Sequence, residues 1–169
     1  NDVHAGVSDG RRAAGCEVHD YALNKRIQAD SAYLHYLWHK GKKQCEKPTD
    51  AQVLYKAGEG LVTRALKLMP DVVIVVSAMY LHPDTLELMR RAGIKVAILF
   101  TESPYMDDAQ ARLIPWTCVA WTNERTSARL GMRYLRHAWH PAIHGPSDLR
   151  GDPSVPAHQV VFVGTAFQE

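Results

Sequence analysis

The sequence predicts an α/β fold in which a parallel sheet carries helices on both faces. Short apolar runs without alternation recur along the chain, as strands do when helices cover both faces of a sheet. Segments with helical start and stop signals separate these runs. Such alternation requires parallel strands joined by right-handed crossovers. A chain of 169 residues is long enough to bury one sizeable core.

The strands are predicted from apolar runs. In chain order they cover residues 17–23, 71–77, 95–101, 117–121, 134–138 and 159–164. Residues 71–77, Asp-Val-Val-Ile-Val-Val-Ser, give the clearest signal, and residues 17–23 are predicted as an edge strand. Together these segments predict a Rossmann-like sheet.

The helices are predicted from capping residues and apolar periodicity. They cover residues near the N-terminus, 25–40, 51–69, 83–91 and 123–130, with a further helix after a cap at residue 103. Thr49 and Gln52 have the spacing of a capping box ahead of residues 51–69. In residues 25–40 we expect Leu34, Leu37 and Trp38 to face inward.

Composition narrows the class of protein. Lys and Arg total 20 against 18 Asp and Glu, too balanced for the basic face of most nucleic-acid binders, so the net charge does not indicate a nucleic-acid partner. The three cysteines lack C-x-x-C spacing, which favours a reducing, cytoplasmic location over a disulfide framework or a thiolate zinc site. No apolar run approaches the roughly 20 residues that cross a bilayer, so no membrane partner is expected.

Residues 140–158 differ in composition from the rest of the chain. They contain Pro141, Pro146, Pro153 and Pro156 beside Gly145 and Gly151, a pattern typical of an interdomain linker. We therefore expect an N-terminal domain over residues 1–139. Residues 159–169 would then be the opening strand and glycine turn of a truncated second domain. The first strand of the N-terminal domain is expected to be missing ahead of Asn1, so the chain is interpreted as a fragment.

Candidate catalytic residues lie where strands give way to helices, because ligands of open parallel sheets bind beyond the carboxyl ends of the strands. Glu102 directly follows a buried run, so its carboxylate is a candidate base, or else it caps the next helix or pairs with an arginine. His4 lies at the start of the first helix. Because histidine is the usual side chain for proton transfer near neutral pH, His4 is a second candidate base, or else an ordinary surface or core histidine.

Further candidates come from the same loops and from two other patterns. The loop residues are Ser77, Tyr105, Thr122, Asn123 and His137. Gly164 and Thr165 form a glycine turn after a strand, where backbone amides could approach a diphosphate. The arginines at positions 125, 129, 133 and 136 either attract a phosphate-bearing acceptor, nucleic acid included, or are solvated surface charge.

The order of motifs resembles one family. The motifs are Asp2-Val-His-Ala-Gly, Ala13-Ala-Gly-Cys-Glu-Val, Pro70-Asp-Val-Val-Ile-Val-Val-Ser, Thr101-Glu-Ser-Pro-Tyr, Trp121-Thr-Asn-Glu-Arg-Thr and Val161-Phe-Val-Gly-Thr. In this order and spacing they resemble CgeB-type glycosyltransferases of the GT-B architecture, including phage-encoded relatives. The resemblance covers nearly the whole chain.

The resemblance implies transfer of a sugar from a nucleotide-diphospho-sugar to an acceptor hydroxyl, in a cleft between two Rossmann-like domains. The N-terminal half would hold the acceptor, with His4 or Glu102 as base and Thr122 and Asn123 lining the cleft. The second half, of which Gly164 and Thr165 remain, would hold the donor. No metal or other cofactor is implied.

Two other functions remain open from the sequence. One is a non-catalytic Rossmann-like binding or assembly module, which would recruit a partner. The other is a DNA-modifying glycosyltransferase whose acceptor is a hydroxylated base. Because nearly all of the donor half is missing, we expect this chain alone to be inactive as a transferase.

Overall fold

The structure, a computed structural model, describes residues 2–41, 46–101 and 106–136. Contacts between Cα atoms divide the chain into two units, Asn1–His137 and Ala138–Glu169, and the second unit lies outside the described residues. The linker over residues 140–158 and the strand over residues 159–164 therefore stay predictions.

The sheet has four strands in the described ranges, and all of its pairings are parallel. The strands are β1 (Val73–Val76), β2 (Val96–Phe100), β3 (Val119–Thr122) and β4 (Arg133–Tyr134), in the spatial order β1-β2-β3-β4. Val73 pairs with Val96, and Ala97 pairs with Val119. The predicted α/β class with a parallel sheet is thus confirmed.

Five α-helices accompany the sheet in the part of the chain that the structure describes. They are α1 (Asp2–Ala13), α2 (Leu23–Lys40), α3 (Asp50–Leu68), α4 (Pro83–Arg91) and α5 (Asp107–Ala111), with short 3-10 helices at Ala78–Tyr80, Ile114–Trp116 and Ser127–Leu130. The predicted capping box of α3 is present. The Gln52 backbone N–H donates to Thr49 Oγ1 at 3.3 Å, and the Thr49 N–H donates to Gln52 Oε1 at 2.9 Å. None of the helices described has both the length and the apolar character to span a membrane.

The core forms around β2, which is buried at four of its five positions. Ile98 and Phe100 of β2 pack in one cluster with Leu86 and Met89 of α4 and with Ala65 of α3. These side chains are fully or almost fully buried. Burial of apolar surface on this scale is the dominant stabilising contribution to such a fold.

The prediction of an edge strand over residues 17–23 is wrong. The chain has no regular structure from Cys16 to Ala22, and α2 begins at Leu23. Side chains hold this segment in place: the Tyr21 hydroxyl donates to the Ala57 carbonyl at 3.1 Å, and Asp20 binds residues of α1. These side-chain hydrogen bonds hold the segment in the absence of the backbone hydrogen bonds that a strand would form with its neighbour.

Three finer expectations also differ from the structure. Leu37 is 44% exposed instead of facing inward, whereas Leu34 and Trp38 are half-buried. The helix predicted over residues 123–130 is reduced to the 3-10 turn at Ser127–Leu130, and Gly131 ends it at a φ of +93°. The last described strand begins at Arg133, one residue before the predicted start, and residues 137–138 lie outside the described residues.

A close approach of α3 and α4 at Gly58 predicts the effect of Gly58→Ala. An added Cβ would overlap the Thr85 hydroxyl and lie 3.2 Å from Thr85 Cβ, in a fully packed region. Forcing the two helices apart should lower the free energy of unfolding by about 2 kcal/mol, measured by urea denaturation.

Gly10→Ala is the matched control, because a Cβ at Gly10 of α1 meets no atom within 4 Å. It should leave stability unchanged or raise it by up to about 1 kcal/mol, the helix-propensity difference between the two residues. Thr85→Ala should restore part of the loss in the Gly58→Ala background. Equal stabilities of Gly58→Ala and Gly10→Ala would contradict the proposed close packing.

Candidate functional site

Polar side chains lie at the carboxyl edge of the sheet. Ser77 follows β1 and Thr101 follows β2, and their side-chain oxygens share a hydrogen bond. Ser77 has a φ of +58°, the left-handed region that a non-glycine residue adopts at a cost of about 1–3 kcal/mol. Strain of this kind clusters at functional sites, so this turn marks the edge as a candidate site.

The loop after β3 is held from inside by buried polar contacts. Thr122 is fully buried, and its Oγ1 accepts a hydrogen bond from the Glu124 N–H at 3.1 Å. The Ser127 hydroxyl donates to Asp107 Oδ2 at 2.8 Å, which ties this loop to α5. Thr122 therefore stabilises the loop from inside and does not line an open cleft. The neighbouring Asn123 is half-buried.

His4 belongs to a polar cluster that joins α1 to the segment before α2. Three side chains of α1, at a spacing of four residues, converge on Asp20: His4, Ser8 and Arg12. Residues four apart lie on one face of a helix, so the helix itself brings these three together. The four residues are called the Asp20 cluster below.

Asp20 receives contacts on both carboxylate oxygens. The Ser8 hydroxyl donates to Oδ1 at 2.6 Å, His4 Nε2 lies 3.5 Å from the same oxygen, and Arg12 Nη2 donates to Oδ2. The hydrogen bond from Ser8, followed by that from Arg12, holds the pKa of Asp20 below its ordinary value. The carboxylate therefore stays ionised beside His4 throughout the neutral range.

Three members of the Asp20 cluster, His4, Ser8 and Asp20, line a cavity of about 430 Å³, called the β1 groove below. Its walls come from α1, from residues 16–21, from α3 and from β1, and the side chains of Val119 and Trp121 of β3 extend it across the sheet. His4 and Asp20 remain accessible, with 46% and 41% of their side-chain surface exposed. Val76, the residue before Ser77, lines the same groove as His4.

The structure describes four of the residues predicted for the site. Ser77, Thr122 and Asn123 follow or end strands at the carboxyl edge, and His4 lies in the Asp20 cluster. Glu102, Tyr105, His137, Gly164 and Thr165 lie outside the described residues.

The sequence does not reveal the partners of His4. The spacing of His4, Ser8 and Arg12 indicates one helix face, but Asp20 falls in the segment predicted as an edge strand, and no sequence signal places that segment against α1.

Comparison with protein-family models, with curated proteins and with solved structures gives no match to this chain.

The contacts of Asp20 predict a pH-dependent contribution to stability. A carboxyl whose pKa is lower in the folded state stabilises the fold above its unfolded pKa of about 4 and loses this effect as pH falls through the folded value. Thermal unfolding measured between about pH 2 and pH 6 should show a steeper loss of Tm on acidification for the unmodified chain than for Asp20→Asn.

Asp9→Asn is the control for that experiment, because Asp9 also contacts Arg12, at 3.2 Å, whereas Ser8 and His4 contact Asp20. This variant should retain most of the acid dependence of the unmodified chain. Identical acid profiles for Asp20→Asn and the unmodified chain would show that the Asp20 contacts do not stabilise the fold.

Proposed function

We propose that this chain is the acceptor-side half of a cytoplasmic glycosyltransferase of GT-B architecture. The reaction is transfer of a sugar from a nucleotide-diphospho-sugar to an acceptor hydroxyl. Three features support it: the parallel sheet, the polar carboxyl edge with its strained Ser77, and the accessible histidine–carboxylate pair beside a groove. The last of these carries the proposal.

His4 is the proposed base. A proton on Nε2, which faces Asp20 Oδ1 at 3.5 Å, leaves Nδ1 free to accept the proton of an acceptor hydroxyl. The acceptor oxygen then bonds to the anomeric carbon of the sugar. The bond from that carbon to the diphosphate oxygen breaks, and the nucleoside diphosphate leaves with the electron pair.

Asp20 supplies the electrostatic support for this step. When His4 gains a proton, the imidazolium lies beside a carboxylate that Ser8 and Arg12 keep ionised. The carboxylate thus stabilises the charge that develops on the base and fixes the orientation of the ring. Asp20 is a positioning residue in this proposal, because it acts through His4.

The donor would be held mainly by the other half of the enzyme, to which Gly164 and Thr165 belong in this proposal. Backbone amides, a helix terminus and basic side chains would meet the diphosphate charge without a metal. Ser77 and Asn123 would contact the acceptor in this proposal. Tyr105 and His137 stay sequence-based candidates for the same role, and Glu102 is the alternative base.

One observation favours DNA as the acceptor. The four arginines at positions 125, 129, 133 and 136 are exposed, and within the described ranges none of them forms an ion pair with a carboxylate. Arg125 stacks on the Tyr134 ring at 4.9 Å. A DNA-modifying transferase acting on a hydroxylated base would use such cations on phosphates, so its DNA retention should fall steeply as salt rises.

The base assignment is tested with His4→Gln in a polypeptide that carries both domains. Transfer is followed as nucleoside diphosphate released from UDP-, GDP- and dTDP-sugars in the presence of glycan, small hydroxyl and hydroxylated-DNA acceptors. Loss of the general base should lower kcat by at least about 100-fold with little change in the donor KM.

His19→Gln is the matched control. His19 lines the same groove and also faces a carboxylate, with Nε2 at 3.0 Å from Glu17 Oε1, so it shares the chemistry of His4 without the Ser8 and Arg12 contacts. It should retain near-normal kcat. Unchanged rates in His4→Gln would remove His4 as the base, and a loss with Glu102→Gln alone would transfer the role to Glu102.

The 169-residue chain alone should release no nucleoside diphosphate from any of these donors. Measured transfer by the chain alone would refute the division into acceptor and donor halves. Absence of transfer by the two-domain polypeptide with every donor, together with retention of a protein partner, would instead favour the non-catalytic binding module.

A further inference from the structure

A second cavity, with a volume of about 870 Å³, lies between α2, α3 and the start of α4. It is called the α2–α3 cavity below. Small-molecule sites have volumes of about 300–1,000 Å³, so the size fits a ligand of this kind. Among the described residues, its lining shares no member with that of the β1 groove. The proposed reaction at His4 therefore makes no use of it.

The α2–α3 cavity lies at the carboxyl edge of the sheet, which is also the edge of Ser77. α4 follows β1 and Ser77 in the chain, and His82 and Asp84 at its start line the cavity. The Tyr55 ring, near the start of α3, contacts the His82 ring, which places the first turns of α3 at this edge as well. The cavity is therefore formed by the beginnings of two helices and by α2.

Aromatic and apolar side chains form one part of the lining. The rings of Tyr55 and His82 have centroids 5.5 Å apart and planes at 86°, so they make two perpendicular surfaces. Trp38 and Leu37 of α2 add further apolar surface. Tyr55 is 41% exposed and Leu37 is 44% exposed, so a ligand can reach both. Ring surfaces of this kind favour a ligand with an apolar face.

Polar side chains complete the lining, and they include both donors and acceptors of hydrogen bonds. These side chains are Glu46, Gln52, Lys56, Glu59 and Asp84. Lys56 Nζ lies 2.7 Å from Glu59 Oε2, so this ammonium and this carboxylate neutralise each other. Gln52 Oε1 accepts from the Thr49 N–H, and the Gln52 amide nitrogen remains a donor.

This combination favours a neutral ligand that has hydroxyl groups and an apolar face. The three carboxylates would repel the phosphates of a nucleotide, and the Lys56 ammonium would repel an organic cation. An organic cation would also leave the donors of the cavity unused. A hydroxyl group both donates and accepts, so it can bind either kind of side chain. A saccharide ring has hydroxyls at its rim and C–H groups on its faces.

We propose that the α2–α3 cavity binds a saccharide residue. One face of the sugar ring packs on the Tyr55 ring, and the sugar hydroxyls bind the Gln52 amide and the carboxylates of the cavity. Because the cavity and Ser77 share the carboxyl edge, the bound residue belongs to the glycan chain of the acceptor, away from the hydroxyl that reacts. This role as an acceptor subsite rests on the proposed function, whereas saccharide binding does not.

NMR titration of the isotope-labelled 169-residue chain tests saccharide binding without donor and without turnover. The probes are cellobiose, maltose and diacetylchitobiose. The indole N–H signal of Trp38, identified with Trp38→Phe, reports on the α2–α3 cavity, and that of Trp121 reports on the β1 groove. At least one disaccharide should shift the Trp38 signal saturably and leave the Trp121 signal in place. Sorbitol, which has hydroxyls but no ring, should shift neither signal.

Tyr55→Ala should weaken binding by about tenfold, because the sugar loses its aromatic surface, and Tyr55→Phe should bind within about twofold of the unmodified chain. Tyr33→Ala is the matched control, since Tyr33 of α2 is 52% exposed and lies outside the cavity lining as the structure describes it. It should keep full affinity. Urea denaturation checks that both alanine variants remain folded. Equal affinities of Tyr55→Ala and Tyr33→Ala would overturn the packing of the sugar on Tyr55.

Three results would overturn the saccharide site itself. One is the absence of a Trp38 shift with every disaccharide. Another is a shift with adenosine or tetramethylammonium and none with the disaccharides, which would assign the cavity to a nucleoside or an organic cation. The third is an affinity that falls steeply between about 50 and about 500 mM NaCl, because salt screens the binding of a charged ligand and not that of a neutral one.

Transfer by the two-domain polypeptide separates the acceptor subsite from the proposed function. Tyr55→Ala should raise the KM for a glycan acceptor by about tenfold and leave the donor KM unchanged. An unchanged acceptor KM with transfer intact would overturn the acceptor subsite and keep the proposed function. Saccharide binding without transfer from any donor would overturn the proposed function and keep the binding site.

Discussion

The parallel pairing of β1 with β2 aligns Val73 with Val96 and brings Ser77 beside Thr101. Because both strands run in the same direction, their carboxyl ends meet at one edge, and the polar residues that follow them gather there. The same pairing uses the inner backbone groups of β1 and leaves those of Ile74 and Val76 facing the groove. The candidate site at the carboxyl edge is therefore a consequence of this ladder.

Asp20 is the centre of a polar cluster in the groove. One carboxylate accepts from Ser8 and Arg12 and lies beside His4, so three positions of α1 are fixed relative to a segment that has no regular structure of its own. The contact stabilises the local fold and orients the imidazole at the same time. A residue that serves both purposes is expected to affect stability and turnover together.

Much of the fold was predictable because its signals are local. Each of these signals depends on a few neighbouring residues. Examples are the apolar runs of β1 and β2, the capping box at Thr49 and Gln52, and Gly131 at the end of the 3-10 helix. Residues 17–23 were not predictable in this way. Their mixed sequence, Glu-Val-His-Asp-Tyr-Ala-Leu, contains β-formers, but the Tyr21 hydroxyl and the Asp20 carboxylate bind distant partners on α3 and α1.

The site was predictable only in part, for the same reason. The predicted strand ends identify Ser77, Thr122 and Asn123 as candidates. Whether Thr122 lines the cleft or stabilises the loop from inside depends on its burial, which only the tertiary structure shows. His4 was identifiable as a titratable residue near a helix start. Its partner Asp20 lies sixteen positions away in the sequence, and only the packing of α1 shows that the two meet.

The contact between Gly58 and Thr85 has a mechanical consequence for the two sides of the groove. α3 and α4 approach too closely to slide past each other, so the wall formed by α3 is stiff. The opposite wall, formed by α1 and residues 16–21, is held together by the Asp20 contacts, and the Tyr21 hydroxyl binds it to α3. Any widening or narrowing of the space between them would therefore come from displacement of α1, and His4 would be carried with it.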